Sequence, residues 1–221
     1  AADNADELKE WLFALVRRIT LLKYERLVYA SKILVLDKRL LAFFASPGVN
    51  VLDLSGYVYV STHACDVFLT PLLTNSLTPE IMECVKDVLE IHTTVQKVIF
   101  KDCGIGDAAM RVLGSALSQN SSITSLDLSQ NHISNLGLLA LSYALKEKRS
   151  ITSLNLSGNQ IGDEGIQELV KILKNANKPV EQLILNNNNI GDEGAKSVSE
   201  LIKLTHVCIP SLELSHNQIQ D

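Results

Sequence analysis

The chain has 221 residues, of which 46% are hydrophobic and 5% aromatic, and a formal net charge of −5. This length allows one large domain or two small ones. Because the lysines and arginines are scattered and the net charge is acidic, we expect neither nucleic acid nor a membrane surface as a partner. The apolar stretches at 11–22 and 33–44 are interrupted by charged residues, so neither provides the roughly 20 apolar residues of a membrane span.

The first 48 residues predict a helical cap for the structure that follows. Their apolar residues recur at steps of four and three, which is the spacing of an amphipathic helix. A second helical or mixed segment extends from about residue 25 to residue 45. A helix lying on a membrane surface is the alternative, but acidic residues near the start of the chain disfavour it. The apolar residues of the first helix are Leu8, Leu12, Leu15, Ile19 and Leu22.

Residues 49–94 predict a strand, an irregular segment and a helix. The stretch VNVLDLSGYVYV at 49–60 has the alternation of a strand. The stretch TPEIMECVKDVLEIH at 78–92 places Pro79 where a first helical turn accepts proline. Residues 62–77 fit neither pattern, so we interpret them as an insertion.

From residue 95 onward, the pattern L-x-x-L-x-L-x-x-N/C-x-L occurs five times at spacings of 28, 28, 29 and 29 residues. The alternating L-x-L core predicts a short strand. The Asn or Cys falls where the chain turns, so its side chain can pair with backbone groups that the turn leaves unsatisfied. Stacked repeats would therefore form an asparagine ladder. The ladder positions are Cys103, Asn131, Asn159, Asn188 and Asn217.

A helix is predicted after each turn. Asp107, Asn135, Asp163 and Asp192 stand at the expected helix starts and are predicted to be N-caps. A small residue two positions later would let each helix pack closely on the preceding coil. Two further apolar positions, four residues apart, predict a stripe that faces the strands. The stripe residues are Leu113, Leu117, Leu141, Leu145, Leu169, Leu173, Val198 and Ile202.

This repeat resembles the leucine-rich repeat family, and its length with a full helix resembles the ribonuclease-inhibitor subtype. The resemblance implies an α/β fold, a right-handed curved solenoid with concave parallel strands, convex helices and a helical N-terminal cap. Residues 1–48 would be the cap, 49–94 a degenerate first repeat with an insertion, and 95–221 regular repeats. Asp221 aligns with the helix-start residues, so we expect the regular repeats to be truncated at this end.

The residues between the leucines of each strand are predicted to form a concave binding surface. This surface is polar and lightly charged, without the aromatic platforms or basic stripe that carbohydrate or nucleic acid would require, so we expect a protein partner. Because it also lacks Trp, Tyr and Arg anchors, Tyr57, Tyr59 and Tyr143 are either anchors outside it or half-buried structural residues. The predicted surface comprises Lys97, Ile99, Lys101, Ser125, Asp127, Ser129, Ser153, Asn155, Ser157, Gln182, Ile184, Asn186, Ser211, Glu213 and Ser215.

No catalytic or metal-binding pattern stands out in the sequence. The five histidines share no metal-ligand spacing, and the four cysteines are interpreted as small buried residues, which favours a reducing compartment. Cys103 and His132 would lie on neighbouring coils, but an inward Cys and an outward His do not suit a nucleophile and its base. We therefore expect no cofactor, metal or small-molecule substrate.

The resemblance to ribonuclease-inhibitor-like repeats implies a non-enzymatic protein, and within it we expect one that inhibits or regulates an enzyme by covering its active site with the concave face. A GTPase-activating protein is one alternative, although no arginine lies on the strands or turns of the regular repeats. A scaffold whose active part lies elsewhere is the other. Repeats rich in Asn, Ser and Lys also resemble those of bacterial effectors, which would imply delivery into the cytoplasm of a host cell.

Overall fold

The computed structural model describes residues 18, 51–53, 59–60, 73–74, 77–90, 94–147, 150–174, 180–203 and 209–220. Apart from Arg18, the predicted cap at 1–48 lies outside the described residues, as do Tyr57, Cys65 and Cys208. Within the described ranges, no helix combines the length and hydropathy needed to cross a membrane.

A parallel sheet contains one strand from each described repeat. Its order along the sheet is the order along the chain. The first apolar residue of each strand core lies opposite its equivalent in the next, from Leu52 and Val98 to Leu183 and Leu212. The alignment of the five sequence repeats therefore corresponds to the register of their strands in the sheet. The strands are β1 (Val51–Asp53), β4 (Lys97–Ile99), β5 (Ser125–Asp127), β6 (Ser153–Asn155), β7 (Gln182–Ile184) and β8 (Ser211–Glu213).

The region predicted as a degenerate first repeat supplies β1 to this sheet. Within it, β2 (Tyr59–Val60) and β3 (Leu73–Thr74) form a separate antiparallel pair. Leu77, at the end of the predicted insertion, is 1% exposed, and its N–H donates to the Cys103 carbonyl at 2.6 Å. The chain is thus joined to the first regular coil before the following helix begins.

Among the described residues, a helix lies between each strand of the parallel sheet and the next, and consecutive helices pack side by side. The first helix begins at Pro79, as predicted. At its second residue, the Glu80 carboxylate accepts a hydrogen bond from the Glu80 backbone N–H and another from the Thr78 hydroxyl, and both bonds lower the pKa of that carboxyl. The helices are α1 (Pro79–Leu89), α2 (Asp107–Gln119), α3 (Asn135–Glu147), α4 (Asp163–Lys174) and α5 (Asp192–Ile202).

The hydrophobic core lies between the sheet and the helices. Burial of each large aliphatic side chain stabilises such a core by about 1.5–3 kcal/mol. From β4 to β7, both apolar positions of the strand core are at most 1% exposed, and the first stripe position of α2 to α5 is at most 2% exposed. These residues are Val98, Phe100, Leu126, Leu128, Leu154, Leu156, Leu183 and Leu185 on the sheet side, and Leu113, Leu141, Leu169 and Val198 on the helix side.

The prediction that Ile202 belongs to the apolar stripe facing the strands is wrong. This residue aligns with three buried leucines of earlier helices, but it is 51% exposed, whereas Leu201 is fully buried. A step of three residues from Val198 stays on one helix face as well as a step of four. Leu201 therefore takes the inward position at the end of α5.

The predicted asparagine ladder is confirmed. The Asn159 Oδ1 atom accepts a hydrogen bond from the Ile133 N–H at 3.1 Å. Its Nδ2 atom donates to the Leu128 carbonyl of the preceding coil at 3.0 Å and to the Leu156 carbonyl of its own coil at 2.9 Å. Asn131, Asn188 and Asn217 make corresponding bonds, so each asparagine joins its own turn to the preceding one.

The residue before each ladder position has a left-handed backbone, with φ between 53° and 68°. Glycine adopts this conformation without steric cost, but other residues adopt it at some expense. Only one of the five is glycine, and the turn nevertheless keeps the same form in every coil. These residues are Asp102, Gln130, Gly158, Asn187 and His216.

The prediction that Asp107, Asn135, Asp163 and Asp192 cap their own helices is wrong. Each is the first residue of its helix, so the N-cap position belongs to the residue before it. In α2 and α5 that residue is Gly106 or Gly191, which has no side chain to make a cap bond. The side-chain oxygens of the four predicted caps instead accept hydrogen bonds from backbone N–H groups of the next coil. We call these four residues the helix-start ladder. The donors are Ser134 at 2.9 Å, Gly162 at 2.8 Å, Gly191 at 2.6 Å and Gln220 at 2.8 Å.

The small residue two positions into each helix makes room for this ladder. A Cβ atom on Gly137 would lie 2.4 Å from Asp107 Oδ1, and one on Gly194 would lie 2.6 Å from Asp163 Oδ1. Gly165 meets Asn135 in the same way. The predicted close approach between helices is therefore present, and its specific cause is the side chain of the preceding coil.

Candidate protein-binding face

The predicted surface residues lie on the face of the parallel sheet opposite the helices, which we call the open face. Lys97 on β4 and Glu213 on the edge strand β8 are exposed. Ile99 and the open-face residues of β5, β6 and β7 are half-buried. Adjacent parallel strands lie about 4.8 Å apart, so neighbouring side chains shield one another. The open face is consequently continuous across the coils.

Charge is distributed unevenly across the open face. Lys97 and Lys101 lie on the first regular coil, Asp127 lies on the second, and Glu213 lies on the last described coil. The intervening strands present uncharged polar side chains together with Ile184. A partner would therefore meet two lysines beside Asp127 on neighbouring coils, then a polar region, and Glu213 on the edge strand β8.

Side-chain hydrogen bonds fix parts of the open face. The Ser153 hydroxyl donates to Gln182 Oε1 on the next strand at 2.8 Å. Asn186 Nδ2 donates to Glu213 Oε2 at 2.7 Å. Because these bonds join neighbouring coils, less side-chain entropy would be lost on binding.

Some of the predicted contact residues support the turns that follow their strands. Asp127 Oδ1 accepts from both the N–H and the hydroxyl of Ser129, at 2.9 and 2.6 Å. Asn155 Oδ1 accepts from the Ser157 N–H at 3.1 Å. Ser129 is only 4% exposed, so it offers a partner little surface. The D/N-x-S spacing, which favours such a local turn bond, is visible in the sequence.

An open polar groove of about 470 Å³ follows the strand ends of three coils, and sequence reasoning did not predict it. We call it the edge groove. It meets the open face at Lys101, and the exposed His132 and Gln160 lie along it. In the sequence, the edge groove is indicated only by the polar residues beside each ladder position. The groove is lined by Lys101, Asp102, Gln130, Asn131, His132, Gly158, Asn159 and Gln160.

The geometry does not assemble Cys103 and His132 into a reactive pair. Cys103 is fully buried, and its Sγ lies 3.4 Å from the Lys101 carbonyl oxygen. His132 is exposed to solvent. In the part of the chain that the structure describes, no group of three His, Cys, Asp or Glu side chains could hold a metal ion.

Of the candidate tyrosine anchors, the structure describes Tyr59 and Tyr143, and it places neither of them in the parallel sheet. Tyr143 lies on α3 and is 61% exposed, on the opposite side of the molecule from the open face. Tyr59 lies in β2, outside the parallel sheet. An anchoring role for Tyr57 and Tyr59 stays a prediction.

Comparison with known proteins places the chain among leucine-rich repeat structures. Residues 119–142, 147–170 and 176–199 match the family model described as Leucine Rich repeat, and together they make up about a third of the chain. Human NACHT, LRR and PYD domains-containing protein 5 is 33% identical over 90 residues. That match covers 35% of this chain and spans only 8% of the human protein's length.

Two solved structures are similar to this chain at low sequence identity. The structure described as Leiomodin-1 Actin-Binding Site 2 has a TM-score of 0.54 and 22% identity, and the match covers 75% of this chain and 86% of the leiomodin chain. The tropomodulin C-terminal domain of Caenorhabditis elegans has a TM-score of 0.47 and 15% identity, and the match covers 57% of this chain and 76% of the tropomodulin chain.

The parallel sheet, the alternating helices and the asparagine ladder define an α/β leucine-rich repeat solenoid, with the open face as its concave side. The class that the fold defines is therefore a solenoid of stacked strand–helix repeats. Stacked repeats of this kind present extended surfaces for other proteins.

Proposed function

We propose that this protein binds an enzyme through the open face and regulates it by covering its active site, without chemistry of its own. The observation that carries the proposal is the continuity of the open face. Its strands share one register, and side-chain hydrogen bonds hold parts of it in place. A fixed surface of this kind can cover a catalytic site with little ordering cost.

The chemistry of the partner follows from the distribution of charge. Acidic groups on the partner would face Lys97 and Lys101, and basic groups would face the side that carries Glu213. Such pairing orients a partner more than it strengthens binding. Apolar contacts at Ile99 and Ile184 and hydrogen bonds to the polar region would add affinity.

Covering an active site is favoured over assistance to catalysis. A GTPase-activating protein stabilises the transition state with a group such as arginine presented to the nucleotide. Among the described residues, no arginine lies on the open face or in the edge groove. A scaffold remains the second alternative, and it would retain partners without changing their activity.

The test uses an open-face variant, Ser125→Arg combined with Ile184→Arg. Neither side chain takes part in the hydrogen bonds described above, so the ladders and turns should be preserved. The matched control is Lys171→Glu with Lys196→Glu, on the exposed sides of α4 and α5. The immobilised parent and both variants are incubated with the same cell extract, and retained proteins are identified by mass spectrometry.

We expect the parent and the control to retain the same enzyme and the open-face variant to lose it. The purified enzyme should then lose activity when the parent is added. Purified actin is included as a probe, because the leiomodin structure is described as an actin-binding site. Retention by the open-face variant together with loss by the control would place the interface on the helices. Retention without an effect on activity would favour a scaffold.

We also propose a ribonuclease-inhibitor-like subtype, because the repeats are 28 and 29 residues long with a full helix. A cytoplasmic location is proposed because the four cysteines follow no zinc or redox spacing, and Cys84 and Cys103 are buried like small hydrophobic residues. Origin as a bacterial effector, delivered to the host cytoplasm, is part of the same proposal. Fractionation of cells that produce the natural protein tests the location, and recovery from a secretory compartment would contradict it.

A further inference from the structure

Helix α3 has an unusual outer side, the side that points away from the sheet. Leu136 and Tyr143 are 65% and 61% exposed. They are seven residues apart, which is close to two helical turns, so they lie on the same line along the helix. Leu139 lies between them and is half-buried. We call these three residues the apolar ridge.

The other regular helices carry different residues at the positions of the apolar ridge. On α4 they are Glu164, Gln167 and Lys171, and on α5 they are Glu193, Lys196 and Glu200. On α2 they are Ala108, Arg111 and Ser115. Packing of the repeat therefore does not require apolar side chains at these positions. Exposed apolar patches with polar surroundings mark interaction surfaces.

Opposite charges lie on the two sides of the apolar ridge. Helix α2 packs on one side of α3 and α4 on the other. Arg111 is exposed on α2, at the helical position of Leu139. On α4, Glu164 is exposed at the position of Leu136. Glu168 follows one turn later and forms an ion pair with the exposed Lys171, so this face of α4 keeps a net negative charge that Glu164 supplies. The ridge thus separates Arg111 on one flank from the net negative charge of Glu164 on the other, about one helical turn apart along the helices.

We propose that the apolar ridge binds a second copy of this chain. A two-fold axis parallel to α3 would bring each ridge residue against its own equivalent and place α2 of one copy over α4 of the other. Arg111 of each copy would then meet the acidic flank of its partner. An axis perpendicular to α3 would instead place Arg111 opposite Arg111. Charge complementarity therefore selects the parallel arrangement.

The expected dimer is weak. Two convex surfaces meet only near the ridge, so the interface buries less than the roughly 1,600 Å² of a standard complex. We expect a dissociation constant of about 10–100 µM. The charge pairs are exposed and contribute mainly to orientation. The site lies on the helices and is independent of the function proposed for the open face.

The first test is analytical ultracentrifugation of the full chain over a concentration series spanning that range. The main variant is Leu136→Glu with Tyr143→Lys, which introduces the residues that α4 carries at the same positions. A second variant, Leu136→Ala with Tyr143→Ser, introduces those of α2. Circular dichroism verifies the fold, and Glu200→Ala on α5 is the control. We expect the parent and control to dimerise and both ridge variants to remain monomeric.

The second test examines orientation. Arg111→Glu should weaken the dimer at least several-fold, and adding Glu164→Arg should restore part of the loss. A parent that stays monomeric throughout the series, or folded ridge variants that dimerise like the parent, would overturn the proposal. Loss that the paired substitution does not restore would overturn the parallel two-fold arrangement.

Discussion

The Asp163 carboxylate accepts a 2.6 Å hydrogen bond from the backbone N–H of Gly191, the residue that precedes the next helix. The first N–H groups of a helix have no partner within the helix, and Asp163 satisfies a neighbouring group from the adjacent coil. The helix-start ladder therefore links one coil to the next, as the asparagine ladder does on the other side of the turn.

Asp163→Ala should lower the free energy of unfolding by about 1–3 kcal/mol, because the Gly191 N–H loses its acceptor. Asp163→Asn should preserve most of the stability, since Asn135 makes the same bond with an amide oxygen. Glu164→Ala, at the adjacent exposed position, is the control and should change stability by less than about 0.5 kcal/mol. Urea unfolding measures all three. Equal stability of Asp163→Ala and the parent would contradict the role of the ladder.

Gly194→Ala should destabilise the protein even though alanine favours helices by about 1 kcal/mol over glycine. The new Cβ would lie 2.6 Å from Asp163 Oδ1 and 2.7 Å from Ile190 Cγ2, so the two coils must move apart. We expect a net loss of about 1–3 kcal/mol in thermal or urea unfolding. Gly106→Ala is the matched control, because no atom lies within 4 Å of its Cβ position. A stabilising effect at both glycines would show that α5 does not pack as described.

Asn159→Ala should cost about 1–3 kcal/mol of unfolding free energy, because buried backbone groups of two coils lose their partners. Gln160→Ala changes the next residue, whose side chain is exposed, and should have little effect. Urea unfolding distinguishes the two variants. If Asn159→Ala is as stable as the parent but fails to retain a partner, the asparagine is a contact residue instead.

Ser142→Ala should leave stability unchanged or raise it by up to about 1 kcal/mol. Ser142 is fully buried in α3, and its hydroxyl has no hydrogen-bond partner among the described residues. Removing an unsatisfied hydroxyl ends its desolvation cost, and alanine is the better helix former. Differential scanning calorimetry provides the measurement. A marked loss of stability would mean that the hydroxyl is hydrogen-bonded in solution.

Features encoded within one repeat could be predicted from the sequence. The alignment of Val98 with Leu126 and Leu154 predicted the strand register, because leucines with a period of two must share one face. The role of Asn159 followed from the backbone groups that any turn leaves unpaired. The open face followed from the same alternation. Its role in binding a partner stays a prediction.

Contacts between repeats could not be predicted in the same way. An aspartate at a helix start suits an N-cap, and only the position of the next coil shows that Asp163 bonds to Gly191. Asn120 is a further example, since its Nδ2 donates to the Leu89 carbonyl of the preceding helix at 2.5 Å, while its Oδ1 accepts from the Ile123 N–H at 3.0 Å. The bond from Asn120 to Leu89 joins residues 31 positions apart, and no local pattern specifies it.

Both ladders lie in a segment whose length does not vary. From the first apolar residue of the pattern to the helix start there are 12 steps in each regular coil, as from Ile151 to Asp163 and from Val180 to Asp192. The extra residue of the 29-residue repeats falls after this segment, before the next coil begins. Among the regular coils, the length therefore varies only where a helix returns to a strand. One residue inserted between Leu156 and Asp163 would shift both sets of bonds out of phase with the adjoining coils.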